Sequence, residues 1–339
     1  NENGRTALQT WTEANKLPVV AAFRCQDLID NSSPSYAGDA GVGMPPHIRS
    51  FLEESDLIVC INARFGEMLT DAWTLFDPTT FDTPLIHIHA GEAELGKIFT
   101  PEIAVMSCPN AACTMLSRTE HLSDPVWAER TVQQHDVWAA TIDAPQQTGA
   151  VDMAEVMQII RDTLPVDAIV TNGAGNFAIW PGRHIVYGRD MTMLAPQSGA
   201  MGAGVPAAIM AKLVQPDRFA LCFAGDGDFQ MNCQELGTAM QHDAAPVILV
   251  LNNGTYGTIR MHQERDYPRR VSGTEIVNPD FAALAQSYGF HGETVRETSD
   301  FADAWKRACA SPTGAVLELV TDAEAITPRT TISALRGDG

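Results

Sequence analysis

Two short clusters at the ends of apolar runs carry the chemistry this sequence offers. Gly225-Asp226-Gly227-Asp228 follows the run Phe219–Ala224, and Asn252-Asn253-Gly254-Thr255 follows the run Pro246–Leu251. Asp226 offers a hard carboxylate oxygen and Asn253 a neutral amide oxygen. Mg²⁺ is held by roughly six oxygens, usually with phosphate oxygens among them. Gly225 and Gly227 let the backbone turn sharply and approach an anion closely. Together the clusters point to a diphosphate held through a divalent metal. Either alone reads as an ordinary glycine or Asn-Gly turn. A dinucleotide site is the competing reading, but Gly225-x-Gly227-x-x-Gln230 lacks the third glycine of that fingerprint. Its second strand also ends in amides, where a ribose-binding acid is needed.

Both apolar runs read as buried strands. Between them lies an amphipathic segment with Leu236, Ala239 and Met240 on one face, and Asn232 with Glu235 gives a capping-box start. This is a β-α-β unit with polar residues at the carboxyl ends of its strands, the edge where open α/β sheets bind ligands. The helix after the glycine turn is expected to add backbone N–H groups. Upstream, the strand Ala168–Thr171 leads into Asn172-Gly-Ala-Gly-Asn176, and Met153–Leu164 reads as a helix. Leu194–Met210 is rich in small residues and ends as a packed helix. The loops 172–177, 198–202 and 225–228 therefore converge on one sheet edge. The loop after Asn253, with Tyr256, Gly257 and Thr258, is the fourth.

The first part of the chain alternates β-rich runs (Leu17–Phe23, Asp56–Asn62, Pro84–Ala90) with helical stretches such as His47–Glu54, which argues for a parallel sheet. Asp30–Pro46 reads as a long loop. Arg64 follows a strand and could reach a ligand, or lie on the surface; His87 and His89 alternate on one strand and read as packing residues. Val126–Ala140 reads as a helix, and Asp143–Gly149 as a linker. The expected division is 1–145 and 146–339, an α/β chain of two doubly wound parallel-sheet domains. The 339 residues carry a formal net charge of −20, which argues against nucleic acid or an anionic membrane as partner. The seven cysteines contain no CxxC pair and lie mostly in apolar runs, so buried thiols in a reducing cytoplasm are expected.

With these loops in place, residues 15–325 resemble the central and diphosphate-binding domains of the acetolactate synthase-like thiamine diphosphate enzymes. The separation of Gly225-Asp226-Gly227 from Asn252-Asn253 matches their diphosphate-and-metal motif. The resemblance implies Mg²⁺ bound by the side chains of Asp226 and Asn253 and the carbonyl of Thr255. It implies diphosphate contacts from Gly175, Asn176, Phe177, Gly227 and Asp228, with Gly225, Tyr256, Gly257 and Thr258 completing the cofactor set. Gly199 and Met201 match the family's Gly-x-Met-Gly, whose methionine holds the cofactor bent. The implied reaction is decarboxylation of a 2-keto acid, carboligation, or both.

The chain also departs from the family. No pyrimidine-binding domain, with its ylide-promoting glutamate, is present; it is expected from a missing segment or a partner chain. A fragment is the favoured explanation, and a non-catalytic or split subunit that binds only the diphosphate end is the alternative. A homodimer or homotetramer is expected. His262 stands where acetolactate synthases have a channel tryptophan, as a catalytic candidate or a solvated helix-face residue. Arg64 matches an arginine near flavin, the only pointer to FAD. Gly273–Pro279 and the tail Ala325–Gly339 resemble mobile segments able to close over the site, with simple fraying the plainer expectation for the tail.

Overall fold

The computed structural model describes residues 1–337, so the last two residues of the tail lie outside the described part. The described chain divides into two compact units: residues 1–140 with 187–189, and residues 141–186 with 190–337.

The first unit opens with the helix Glu2–Ala14, capped by the Asn1 side chain, which accepts from Gly4 N at 2.9 Å. Its strands are β1 (Val19–Ala21), β2 (Tyr36–Asp39), β3 (Ile58–Ile61), β4 (Leu85–His89) and β5 (Ile103–Met106). All pair in parallel, but in two sheets: β1 with β2, and β3-β4-β5. One apolar cluster, including Ala40, Ile48, Cys60 and Leu85, touches elements of both. The strand β2 lies inside the stretch expected to be a long loop. It is short and contains a glycine, so it carries little strand signal, yet all four residues are buried. Tyr36 packs edge-on against Trp138 at 4.7 Å. His87 and His89 are buried; the His87 ring lies 3.1 Å from the carbonyl of Ala63, and burial lowers its pKa. Arg64 is exposed after β3.

The second unit holds a single sheet of β6 (Ile169–Asn172), β7 (Thr192–Leu194), β8 (Ala220–Gly225), β9 (Val247–Asn252), β10 (His291–Val295) and β11 (Ala315–Val320). Its order is β10-β11-β9-β8-β6-β7, parallel throughout. β8 is buried along its length, and β9 up to its last residue, as continuous apolar runs flanked by helices must be. One apolar cluster joins Cys222 and Ala224 of β8 and Ile248 and Val250 of β9 to Phe229 and Phe281, whose rings meet edge-on at 5.5 Å. The side chains of Asp152 and Asp280 cap the helices Met153–Thr163 and Phe281–Tyr288. From β6 the chain steps outward to β7 and then returns to place β8 on the other side of β6. The sheet's switch point is therefore between β6 and β8, where doubly wound sheets bind their ligands.

Asn232 does not cap a helix. β8 passes directly into a helix at Asp226–Asn232, followed by a 3-10 turn at Cys233–Glu235 and the helix Leu236–Gln241. The Asn232 amide donates instead to the Gly202 carbonyl at 2.8 Å, and Glu235 accepts from the Thr238 hydroxyl. In its described part, 325–337, the tail is packed: Ile326 and Ile332 are buried, and the helix Ile332–Arg336 is capped by Thr331. All seven cysteines are free; Cys60, Cys113 and Cys222 are buried, but Cys108 and Cys309 are exposed. Among the described residues no helix is long and apolar enough to cross a membrane.

Candidate functional site

The loops after β6, β8 and β9 meet around a cavity of about 290 Å³ in the second unit. Asp226 lines it, 3% exposed. Its Oδ1 accepts from Gly227 N at 2.8 Å, and its Oδ2 from Gly254 N at 2.9 Å and Asn278 Nδ2 at 2.7 Å. Burial pushes this carboxyl's pKa up, and the three donors pull it back. A carboxylate has roughly four acceptor sites, so Oδ1 keeps capacity for a cation.

Asn253 Oδ1 accepts from Thr255 N at 3.1 Å, an Asx turn that shapes the loop. That loop is bridged antiparallel to residues 274–276: Thr255 pairs with Glu275, Tyr256 N donates to Thr274 O, and Ile276 N to Gly254 O. The segment Gly273–Pro279, expected to be mobile, is thus hydrogen-bonded to the β9 loop.

Asp228, 2% exposed, accepts from Ala174 N at 3.0 Å and Gly202 N at 2.9 Å, tying the β6 loop to the loop that carries Met201. Asn176 receives the Thr258 hydroxyl at 2.9 Å and donates to the Ile326 carbonyl at 2.9 Å, joining the β6 loop, the helix Gly257–Asp266 and the tail.

Every residue assigned from the sequence to cofactor or metal lines this cavity: Gly175, Asn176, Phe177, Gly199, Met201, Gly225, Asp226, Gly227, Asp228, Asn253, Thr255, Tyr256, Gly257 and Thr258. His262 does not; it is exposed on the helix Gly257–Asp266. The sequence reading missed Gln147, Thr148, Trp180 and Asp322, which also line it. None of the four had a local signal, since the strand that Asp322 follows, β11, was not read from the sequence.

Two of the lining glycines let aromatic rings pack directly on the backbone. A Cβ on Gly225 would lie 2.7 Å from the Phe177 ring, and one on Gly227 would lie 2.5 Å from the Tyr256 ring. Both positions require glycine for close approach. No cluster of three or more His, Cys, Asp or Glu among the described residues suits a metal ion. Asp226, Asn253 and Thr255 line the same cavity, and oxygen donors of these kinds suit a hard cation that shares its sphere with phosphate oxygens.

Residues 173–319 match the family model for the thiamine pyrophosphate enzyme C-terminal TPP binding domain, and residues 1–116 match that for the central domain. The chain belongs to the thiamine pyrophosphate enzymes. Among curated thiamine pyrophosphate enzymes it is 30% identical over 320 residues to the acetolactate synthase large subunit of Parasynechococcus marenigrum, covering 92% of this chain and 51% of that protein. It is 28% identical over 291 residues to the acetolactate synthase isozyme 2 large subunit of Escherichia coli, covering 85% and 52%. The chain spans about half the length of the curated relatives it matches. The cavity lies at the strand ends of the matched TPP binding domain.

Proposed function

We propose that this cavity holds thiamine diphosphate through Mg²⁺, in an acetolactate synthase-like enzyme that decarboxylates a 2-keto acid, joins the remaining fragment to a second carbonyl, or both. The observation that carries this is the meeting of Asp226, Asn253 and Thr255 with the glycine-lined loops in one cavity at the sheet's switch point. In this reading Asp226, the Asn253 amide oxygen and the Thr255 carbonyl bind the cation. Gly175, Asn176, Phe177, Gly225, Gly227, Tyr256, Gly257 and Thr258 surround the diphosphate end.

When bound, the cofactor supplies an electron sink for the carbon–carbon bond broken as CO₂ leaves. The protein's own part is binding and orientation. Asp226 supplies the charge that attracts the cation, and Asp228 holds two of the loops in register. Gly199 and Met201 support the bent cofactor, while the rings of Phe177 and Trp180 exclude water from one wall. His262 is exposed and does not line the cavity, so it is given no part in holding the cofactor. The aminopyrimidine end is met by a pyrimidine-binding domain from another segment or chain, within a homo-oligomer. The acetolactate synthase relatives favour an enzyme over a non-catalytic diphosphate binder.

Calorimetry of thiamine diphosphate into the full chain, with and without Mg²⁺, tests the reading. Mg²⁺-dependent binding is expected; its absence overturns the metal-and-diphosphate assignment. CO₂ release from a panel of 2-keto acids, in the presence of the pyrimidine-binding domain, separates the enzyme from the non-catalytic binder.

A further inference from the structure

Asn278 stands outside the family motif, and nothing in the sequence pattern gives it a task. It lies in the surface stretch between the helices Gly257–Asp266 and Phe281–Tyr288, next to Val277, which is 99% exposed. Its amide nevertheless turns inward. Nδ2 donates to Asp226 Oδ2 at 2.7 Å and to Asn252 Oδ1 at 2.8 Å, while Oδ1 accepts from Gln230 Nε2 at 2.8 Å. Asn252 in turn donates to Glu318 Oε1 at 2.6 Å, and Glu318 Oε2 accepts from the Thr294 hydroxyl at 2.8 Å. Glu318 is 5% exposed, in the interior of the sheet.

The direction of every bond in this row is fixed. Glu318 receives the Asn252 amide N–H, so the Asn252 oxygen must face Asn278. Asn278 then has to present its N–H₂ to Asn252 and to Asp226 together. A flipped Asn278 would set its oxygen against a carboxylate and another amide oxygen, which repel it. The row therefore delivers a polarised donor to Asp226 Oδ2. With Gly254 N it occupies that oxygen and leaves Oδ1, which accepts only from Gly227 N among the described hydrogen bonds, with acceptor capacity.

We infer that Asn278, oriented through Asn252 by the buried Glu318, is a positioning residue that fixes the Asp226 carboxylate for a divalent cation. The inference rests on the reading of Asp226 as a cation ligand. It carries a reciprocal consequence. If docking of Asn278 strengthens cation binding, the cation strengthens docking of the segment around Asn278 by the same factor.

The test uses the full chain, with Mn²⁺ binding followed by electron paramagnetic resonance in the presence of thiamine diphosphate, and backbone amide exchange over residues 272–278. Partners that orient a metal ligand are worth roughly 10- to 100-fold in metal affinity, and Asn278→Ala is expected to weaken Mn²⁺ binding by that much. Mn²⁺ should slow exchange in the segment in the unsubstituted protein and not in the variant. A merely structural asparagine would lower metal-free stability while leaving both readouts unchanged, and that result overturns the inference. Asn278→Asp is nearly isosteric and carries the test if the alanine variant does not fold. It too should weaken binding, because it sets a carboxylate against Asp226. Tighter binding by Asn278→Asp would make residue 278 a ligand and overturn the positioning role. No Mn²⁺ binding by the unsubstituted chain would overturn the reading of Asp226 and this inference with it. Binding there, with an unaltered Asn278→Ala, overturns this inference alone.

Discussion

Arg336, near the end of the chain, grips Glu264 with two hydrogen bonds, Nε to Oε2 at 2.8 Å and Nη2 to Oε1 at 2.7 Å. Glu264 is fully buried, and it also accepts from Arg260 Nε at 2.7 Å and Arg269 N at 2.8 Å. The helix that begins at the β9 loop is thus fastened to the tail, whose residues Ala325, Ile326 and Thr327 line the cavity.

Removing the grip should loosen the tail before anything else. Arg336→Ala is expected to cost about 2 kcal/mol, the range for a lost hydrogen bond to a charged group. Limited proteolysis should cut between residues 322 and 337 faster than in the unsubstituted protein, with cleavage elsewhere unchanged. Unaltered cleavage of the tail would mean that Ile326 and Ile332 hold it unaided.

The same pair sets a pH window. The Arg336 hydrogen bond is the main cause that holds the Glu264 carboxyl down at about 2, against an ordinary value of 4.5. A folded-state value below the unfolded one gives stability that is fully present above the unfolded value and is lost as pH falls through the folded value. The stabilisation is therefore complete above pH 4.5 and fades toward about 2. Urea midpoints of the unsubstituted protein and Glu264→Gln should differ most near neutral pH and draw together across that window.

Asp226 and Asp228 stand two residues apart, and the proposed reading gives the first the cation and the second the joining of two loops. Asp226→Ala should remove the Mg²⁺ dependence of thiamine diphosphate binding. Asp228→Ala takes the acceptor from Ala174 N and Gly202 N. Each N–H left unmet costs about 1–3 kcal/mol, so a lower urea midpoint with Mg²⁺ dependence retained is expected. Calorimetry and denaturation on both variants would expose an exchange of these roles.

Gly225→Ala would drive a methyl into the Phe177 ring, at 2.7 Å before relaxation. Overpacking of this kind costs about 1–3 kcal/mol. Phe177→Ala in the same chain should recover most of the loss, and a double-mutant cycle on thermal midpoints measures the coupling. Additive effects would mean that the backbone, and not the ring, gives way.

The parts of the fold that were legible in the sequence are those where composition and burial agree. β8 and β9 are apolar along their length and lead into glycine, aspartate and asparagine, so the strands and their cavity-facing ends could both be read. β11 was not, because Glu318 interrupts its run, and only the partners Asn252 and Thr294 make a buried carboxylate tolerable there. β2 was hidden by its length and glycine, and the Asn232–Glu235 capping pattern failed because Asn232 donates to Gly202, 30 residues away, while Glu235 accepts from Thr238. Asn278 and the tail's contribution to the cavity depend on contacts across 52 and 150 residues respectively, which no local pattern encodes. His262 shows the converse, where likeness of position along the chain did not bring a side chain to the cavity.

The row from Thr294 to Gln230 also bears on how the sheet assembles. Side chains alternate between faces along a strand, so a slip of one residue between β11 and β9 would carry Glu318 to the opposite face. There its charge would meet apolar packing without Asn252, a penalty of several kcal/mol. A misaligned sheet would thus lose both the partner of Glu318 and the donor that faces Asp226. The hydrogen bonds that face Asp226 and the correct zipping of the strands are one set, so the cation site proposed at Asp226 would exist only in a chain whose sheet has closed in register.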